Sequence, residues 1–204
     1  MGIWAIVPVK PLRRGKSRLA GVLSENERAV LNYSMLNNTL KVLREVPEIE
    51  ATLVISRDPS ALSLARAHKA RTVQEDGSPE LNAAIRRATI VAQAYAAHGV
   101  LILPADLPLI TSVDLGVFLS NIGSPPEIVI APDHREDGTN ALFISPPGLI
   151  DYLYGPGSFQ RHLQQSEKFG IKHTICRLPS LGLDLDLPED LEIFKMMENT
   201  PVQT

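Results

Sequence analysis

Apolar positions along the chain fall into short continuous runs and into longer stripes with helical spacing. Residues 3–7 are an apolar run that ends at Pro8, a pattern typical of a strand buried on both faces of a sheet. Residues 33–43 then carry apolar side chains at three- and four-residue steps, which predicts a helix that begins near Ser24 and ends at Pro47. The chain is therefore expected to open with a strand followed by a helix.

This alternation continues along the chain. Further strands are predicted at residues 52–55, 71–73, 100–103, 128–131, 141–144 and 173–177. Helices are predicted to begin near Asp58, at Ser78, near Thr111 or Ser112, around Phe159 and at Pro188. Repeated strand–helix units predict a three-layer α/β fold in which helices cover both faces of a mostly parallel sheet. We expect a single domain over residues 1–198 and a loose tail at 199–204.

Composition narrows the class of protein. With 204 residues and 44% hydrophobic content, the chain can bury one substantial core. A formal net charge of −3 provides no overall basic field, so we expect no nucleic-acid partner. The first apolar run is too short to span a membrane, and no basic leader precedes it. The single cysteine, Cys176, is expected to pack as an inert thiol in a cytoplasmic protein.

The loop after the first strand is strongly basic. It carries Lys10, Arg13, Arg14, Lys16 and Arg18. Bound phosphate would relieve the repulsion among these cations, although a solvated surface loop is the alternative. A Walker-type phosphate loop is disfavoured, because Lys10 stands where that motif requires its first glycine.

Two acidic sites follow predicted strands. Asp106 comes directly after the strand at residues 100–103, at the edge where ligands of such sheets gather. Asp184 and Asp186 point to the same side if their segment is extended. Mg²⁺ prefers oxygen ligands and usually takes one or two carboxylates together with substrate phosphates, so the three aspartates are a candidate magnesium site. The alternative for Asp186 is to cap the helix that begins at Pro188.

Two glycine-containing segments are candidate anion sites. Residues 137–140 resemble a tight turn before a strand, and residues 154–158 resemble a small-residue loop that leads into a helix. Either segment is also compatible with an ordinary turn. His162 is interpreted as a packing or surface residue rather than a general base.

Six segments, in order along the chain, resemble one enzyme family. They read Pro-Val-Lys-Pro-Leu at 8–12, Gly-Lys-Ser-Arg-Leu at 15–19, Leu-Pro-Ala-Asp-Leu-Pro-Leu at 103–109, Asp-Gly-Thr-Asn-Ala-Leu at 137–142, Gly-Pro-Gly-Ser-Phe at 155–159 and Leu-Asp-Leu-Asp at 183–186. Together they are similar to the guanylyltransferases that make the phospholactyl or phosphoenolpyruvyl guanosine diphosphate precursor of coenzyme F(420). Gly15 departs from the alanine common in relatives, and Glu80 departs from an expected glycine.

The resemblance implies a Rossmann-like nucleotidyltransferase fold with a mixed sheet, in which residues 141–144 are the candidate antiparallel strand. It implies that GTP is bound by Lys10, Lys16, Arg18, Leu81 and Asn82. It implies a phosphorylated acid held by Thr139, Gly155 and Ser158. The implied catalytic residues are Lys16, Asp106, Asp184 and Asp186, and the same three aspartates would hold Mg²⁺.

The predicted reaction moves GMP from GTP to phosphoenolpyruvate. The acceptors 2-phospho-L-lactate and 3-phosphoglycerate remain open, as does a molybdopterin or sugar-phosphate nucleotidyltransferase. An aspartyl phosphatase is a weaker alternative, because its Asp-x-Asp motif normally follows the first strand. A GTP-binding regulatory protein is the non-enzymatic alternative, and the sequence leaves monomer and homodimer open.

Overall fold

A single seven-stranded sheet forms the centre of the fold. The computed structural model describes residues 2–76 and 80–198. Its strands are β1 (Ile3–Val9), β2 (Ile49–Ser56), β3 (Arg71–Gln74), β4 (Gly99–Ile102), β5 (Glu127–Pro132), β6 (Thr139–Ser145) and β7 (Lys172–Ile175). They are ordered β3-β2-β1-β4-β6-β5-β7. Only β6 runs antiparallel to its neighbours in this part of the chain, so the mixed, mostly parallel sheet is confirmed.

Within the described residues there are seven α-helices, of which the first five connect these strands and the last two follow β7. They are α1 (Glu25–Glu45), α2 (Pro59–Ala67), α3 (Leu81–Ala94), α4 (Ser112–Leu119), α5 (Ser158–Lys168), α6 (Pro179–Gly182) and α7 (Pro188–Glu198). The predicted start of α1 is confirmed, because Ser24 and Glu27 form a reciprocal capping box.

The predicted start of α3 is wrong. Helix α3 begins at Leu81 instead of Ser78, since the Glu80 carboxylate accepts hydrogen bonds from the backbone N–H groups of Asn82 and Ala83. Ser78 itself lies outside the described residues, as does the predicted tail at 199–204.

Two apolar cores lie on opposite faces of the sheet. Side chains of β1 alternate between them: Ala5 and Val7 pack with α1, α2, α4 and α6, whereas Trp4 and Ile6 pack with α3 and α5. Both faces of the central strands are buried, which explains why these strands appear as continuous apolar runs in the sequence. The three-layer arrangement is therefore confirmed.

The antiparallel direction of β6 determines which residues meet at the functional edge. The first residue of β6, Thr139, lies at the same edge as the carboxyl ends of β1 and β4. Residues 184–186, whose aspartates were expected to point to the same side if the segment is extended, follow the short helix α6 and form no strand, with the Asp186 N–H 3.1 Å from the Asp184 carbonyl oxygen.

Within the described ranges, no helix is both long enough and apolar enough to cross a membrane. Cys176 is a free, buried thiol, and burial raises its pKa.

Candidate active site

Backbone and side-chain hydrogen bonds bring the two acidic sites together. The Leu185 N–H donates to the Asp106 carbonyl oxygen at 3.2 Å, which joins the late acidic segment to the end of β4. The Asn140 side chain donates to the carbonyl oxygens of Leu181 and Gly182, at 2.8 and 3.2 Å, and lies 3.4 Å from the Asp184 carboxylate. Asp106 and the Asp184–Asp186 pair therefore lie at one edge of the sheet.

Lys16 bridges two of the three carboxylates. Its ammonium lies 2.7 Å from Asp106 Oδ2 and 2.9 Å from Asp186 Oδ1, across 90 and 170 residues of sequence. Only 5% of the Lys16 side chain is exposed, compared with 31% and 41% for its two partners. Lys16 adopts the left-handed conformation, with φ 56°, which residues other than glycine seldom adopt. The first loop therefore directs this side chain inward, toward the acidic residues.

The charges at this edge shift each other's pKa. Burial alone would lower the pKa of Lys16, but Asp106 and Asp186 outweigh it, so the pKa is raised and the side chain stays protonated. Burial would raise the pKa of Asp186, but Lys16 and then Lys10 and Arg18 lower it below its usual value. Lys16 and Asp186 are therefore both ionised at neutral pH.

Asp184 has a different electrostatic environment. Burial raises its pKa to about 6, and the neighbouring carboxylates Asp106 and Asp186 add to the shift. The hydrogen bond from Asn140 and the charge of Lys16 oppose it only in part. We call the sheet edge that holds Asp106, Asp184 and Asp186 the acidic edge. It carries more negative charge than the bridging ammonium of Lys16 offsets.

The acidic edge offers the chemistry that a hard divalent cation requires. Its three carboxylates provide oxygen donors only, and repulsion from Asp106 and Asp186 adds to the burial that raises the pKa of Asp184. Across the described ranges, no three acidic, histidine or cysteine side chains are already grouped as a metal site. Lys16 lies between two of the carboxylates instead. The donor set fits Mg²⁺ in its chemistry.

The basic loop does not act as one cluster. Arg18 lies 4.0 Å from Asp186 and is largely exposed, so it borders the acidic residues. Arg13 contacts Asn26 and lines, with Arg14, a cavity of about 650 Å³ between the loop, the first half of α1 and the start of α2. The predicted phosphate-binding cations are thus divided between two directions, with Lys16 and Arg18 on the side of the aspartates.

The residues predicted to hold the acid form a second group. Ser158 Oγ donates to Thr139 Oγ1 at 3.2 Å, and the Ser158 N–H donates to the Gly155 carbonyl oxygen. Gly155 has φ 122°, a conformation that strongly favours glycine. The Asp137 carboxylate accepts from the Gly157 N–H at 3.1 Å and so fixes the start of α5. Because Thr139 precedes Asn140, this group adjoins the acidic edge.

The two residues predicted at the start of α3 have different positions. Leu81 is 40% exposed at the first turn of the helix. The Asn82 carboxamide is bonded twice to Tyr154: its Oδ1 accepts from the Tyr154 N–H at 2.8 Å, and its Nδ2 donates to the Tyr154 carbonyl oxygen at 3.3 Å. The structure therefore joins Asn82 to the loop containing Gly155.

Sequence reasoning missed three positioning residues. Asn140 and Asp137 both lie in the turn at 137–140. Their hydrogen-bonding side chains were the feature of the sequence from which this role could have been predicted. Asp190 is fully buried and accepts from Arg135 and from the backbone N–H groups of Asp186 and Leu187. Asp190 thus holds the backbone that enters α7, whereas the contacts of the Asp186 carboxylate are with Lys16 and Arg18.

The fold is shared with solved nucleotidyltransferases, and a family model identifies the family. A solved nucleotidyl transferase from Methanothermobacter matches 96% of this chain and 97% of its own length, with a TM-score of 0.70 and 16% sequence identity. At that identity the likeness shows the fold alone, and it confirms the Rossmann-like nucleotidyltransferase architecture. The family model described as "Guanylyl transferase CofC like" matches residues 3–201. The chain belongs to this guanylyl transferase family, as the sequence motifs predicted.

Curated relatives agree with this assignment. A protein of Rubrobacter xylanophilus named phosphoenolpyruvate guanylyltransferase is 42% identical over 94% of this chain and 92% of its own length. A protein of Methanocaldococcus vulcanius named 2-phospho-L-lactate guanylyltransferase is 35% identical over 96% of this chain and 85% of its own length. Members of the family are thus named for two acceptor acids that differ by only a few atoms.

Proposed function

We propose that this chain transfers GMP from GTP to phosphoenolpyruvate, giving enolpyruvoyl-2-diphospho-5'-guanosine and pyrophosphate in coenzyme F(420) biosynthesis. The observation that carries the proposal is the convergence of Lys16, Asp106 and Asp186 at the ligand-binding edge of a nucleotidyltransferase sheet. The choice of phosphoenolpyruvate is supported by the name of the relative that is 42% identical. Because another relative is named for 2-phospho-L-lactate, that acid is the second candidate.

The reaction requires charge control more than acid–base chemistry. An oxygen of the acceptor phosphate bonds to the α-phosphorus of GTP while the bond from that phosphorus to the bridging oxygen breaks. The electron pair leaves with pyrophosphate. The acceptor phosphate is already ionised near neutral pH, so the step needs no protein nucleophile and no general base. Catalysis is then mainly positioning and electrostatic stabilisation.

Lys16 acts in this scheme as a fixed positive charge. Two anionic groups about 4 Å apart repel by roughly 4 kcal/mol at an effective dielectric constant of about 20. The raised pKa of Lys16 keeps its ammonium charged, which excludes a role as a proton acceptor at neutral pH. We assign Lys10 and Arg18 to the phosphates of GTP, and Leu81 with Asn82 to its nucleoside.

We also propose Mg²⁺ as the cofactor, held by Asp106, Asp184 and Asp186. When bound, Mg²⁺ would neutralise triphosphate charge and help to orient it. Support comes from the oxygen-only donor set and from the raised pKa of Asp184, which burial causes in the main and to which the charges of Asp106 and Asp186 add. Turnover is expected to stop on chelation and to return with added magnesium.

The acceptor acid is assigned to Thr139, Gly155 and Ser158. Ser158 is the first residue of α5, where the positive end of the helix dipole favours an anion. The neighbouring Thr139 hydroxyl supplies a side-chain contact at the same point. Thr139 adjoins Asn140, whose side chain lies 3.4 Å from Asp184, and this supports a position for the acid next to the proposed metal ligands.

A pyrophosphate-release assay tests the proposal. GTP and magnesium are supplied with phosphoenolpyruvate, 2-phospho-L-lactate or 3-phosphoglycerate in parallel. We expect the highest kcat/KM with phosphoenolpyruvate, and a preference for either other acid would correct the acceptor. Release only with a molybdopterin or a sugar phosphate would reject the proposed reaction. GTP binding with no pyrophosphate release would indicate a regulatory protein.

We further propose a cytoplasmic location, supported by the unpaired buried thiol of Cys176 and by the phosphorylated metabolites that the reaction uses. A homodimer of this chain is a further proposal, which light scattering of the purified protein would test.

A further inference from the structure

His162 is a fully buried side chain that is hydrogen bonded at both ring nitrogens. The Leu153 N–H lies 3.1 Å from Nε2, and because a backbone N–H only donates, Nε2 is an acceptor. Burial lowers the pKa of His162 to about 4, with Arg161 adding to the shift, so the ring is neutral near pH 7. A neutral imidazole has one N–H, which must therefore be on Nδ1.

This tautomer determines what the Thr139 hydroxyl does. His162 Nδ1 lies 3.1 Å from Thr139 Oγ1 and donates to it, and Ser158 Oγ donates to the same oxygen at 3.2 Å. A hydroxyl oxygen has two lone pairs, so both acceptor positions of Thr139 are filled. Among the described residues these are its only side-chain hydrogen bonds. The hydroxyl hydrogen of Thr139 is therefore left to donate to a group outside the protein.

We propose that His162 is a positioning residue for the acceptor acid: it fixes the Thr139 hydroxyl as a hydrogen-bond donor to an oxyanion of that acid. This inference rests on the proposed function, which assigns the acid to Thr139 and Ser158. Thr139 retains 5% exposure at the first position of β6, on the ligand-binding edge of the sheet. With both lone pairs filled, the Thr139 hydroxyl selects an anionic oxygen over a donor group.

The second ring nitrogen gives His162 a further effect on the same site. By accepting from the Leu153 N–H, it holds the backbone that leads through Tyr154 to Gly155. The Asn82 side chain holds the next N–H of this segment, that of Tyr154. One neutral imidazole thus links the Thr139 hydroxyl to the loop that contains Gly155.

Two substitutions of His162 separate its two hydrogen bonds. His162→Gln places an acceptor near the position of Nε2 and loses the donor to Thr139. His162→Asn places a donor near the position of Nδ1 and loses the acceptor for Leu153. We expect the Kd and KM for phosphoenolpyruvate to rise about three- to tenfold in His162→Gln, the loss typical of one hydrogen bond, with a smaller rise in His162→Asn. The KM for GTP should change by less than about twofold in both. A rise in His162→Asn that equals or exceeds the rise in His162→Gln would overturn the proposal.

A double-mutant cycle tests the dependence on Thr139. Thr139→Val removes the hydroxyl, so His162→Gln should cause no further loss of phosphoenolpyruvate affinity in that background. Equal losses in both backgrounds would show that His162 acts independently of Thr139, which contradicts the proposal. Should the histidine variants fail to fold, Thr139→Ser offers a second test because it keeps the hydroxyl. We expect it to bind phosphoenolpyruvate more tightly than Thr139→Val does. Equal loss of affinity in these two variants would contradict the proposal.

The tautomer itself has a spectroscopic signature that needs no activity. Nitrogen-15 NMR of histidine-labelled protein should show His162 protonated on Nδ1 at neutral pH, and protonation on Nε2 would overturn the proposal.

Calorimetric binding of phosphoenolpyruvate, in the presence of GTP, separates this inference from the proposed function. Binding without pyrophosphate release would reject the reaction and still measure the effect of His162. Equal binding by wild type and His162→Gln would reject only the inference, and no binding by wild type would reject both.

Discussion

Acidification should destabilise the protein through His162 by an amount that follows from its pKa. The folded protein holds this pKa at about 4, whereas the unfolded chain titrates near the ordinary value of 6.5. Between these values the unfolded state binds a proton that the folded state lacks, so stability is full above about pH 6.5 and is lost as the pH falls. The loss reaches about 2 kcal/mol at about pH 5 and about 3 kcal/mol below about pH 4.

Asp184 acts in the opposite direction over the same range. Its folded-state pKa is raised from 3.8 to about 6, so the folded protein binds a proton that the unfolded chain does not. Lowering the pH through about 6 therefore favours the folded state at this residue. The pH dependence of the wild type alone thus mixes two opposing contributions.

The His162→Gln variant isolates the histidine contribution. Urea unfolding followed by circular dichroism gives the free energy of unfolding of both proteins at about pH 7 and about pH 5. We expect the wild type to lose about 2 kcal/mol more than His162→Gln over this interval. Equal losses in the two proteins would show that His162 titrates normally in the fold, and would refute the reasoning from its burial.

Three further substitutions test the site. Asp186→Asn should abolish pyrophosphate release yet leave the circular dichroism spectrum unchanged, because this half-exposed carboxylate serves the site more than the core; retained magnesium-dependent turnover would contradict its assignment. Asp190→Asn should lower the free energy of unfolding by about 3 kcal/mol, since it removes the charge that pairs with the Arg135 guanidinium. Urea unfolding measures this change, and a loss below about 0.5 kcal/mol would argue against the pairing. Asn82→Ala should raise the KM for GTP, to whose nucleoside Asn82 is assigned, and also the KM for the acid, because it frees the backbone of Tyr154; an effect on GTP alone would show that the Asn82–Tyr154 contact does not serve the acid site.

Most of the fold could be predicted from the sequence because local signals agreed with the final packing. The continuous apolar run of β1 and the capping residues Ser24 and Asp58 each identify an element from a few neighbouring positions. The start of α3 was misplaced because Ser78 and Glu80 both can cap a helix, and spacing does not decide between them. The direction of β6 came from the family resemblance, since its seven buried residues indicate no orientation.

Local patterns in the sequence could not predict which residues contact each other within the site. The pairing of Lys16 with Asp106 joins residues 90 positions apart, and Asn82 meets Tyr154 across 72. Alternation would put Asp184 and Asp186 on the same side only if their segment is extended, and the turn between them is held by a contact with the distant residue Asp106. Residue types therefore identified which side chains belong to the site, and tertiary packing determined which of them touch.

The position of Lys16 changes how the basic loop should be understood. Five cations on one loop suggested a single phosphate-binding cluster, yet the most buried of them is satisfied by protein carboxylates before any substrate arrives. This pairing joins the loop to the ends of β4 and α6, so less of the loop has to be ordered when a triphosphate binds. Arg18, which is 70% exposed beside Asp186, keeps its donors available to phosphate. Lys16 thus organises the loop and supplies a fixed charge, while its exposed neighbours are free to meet the nucleotide.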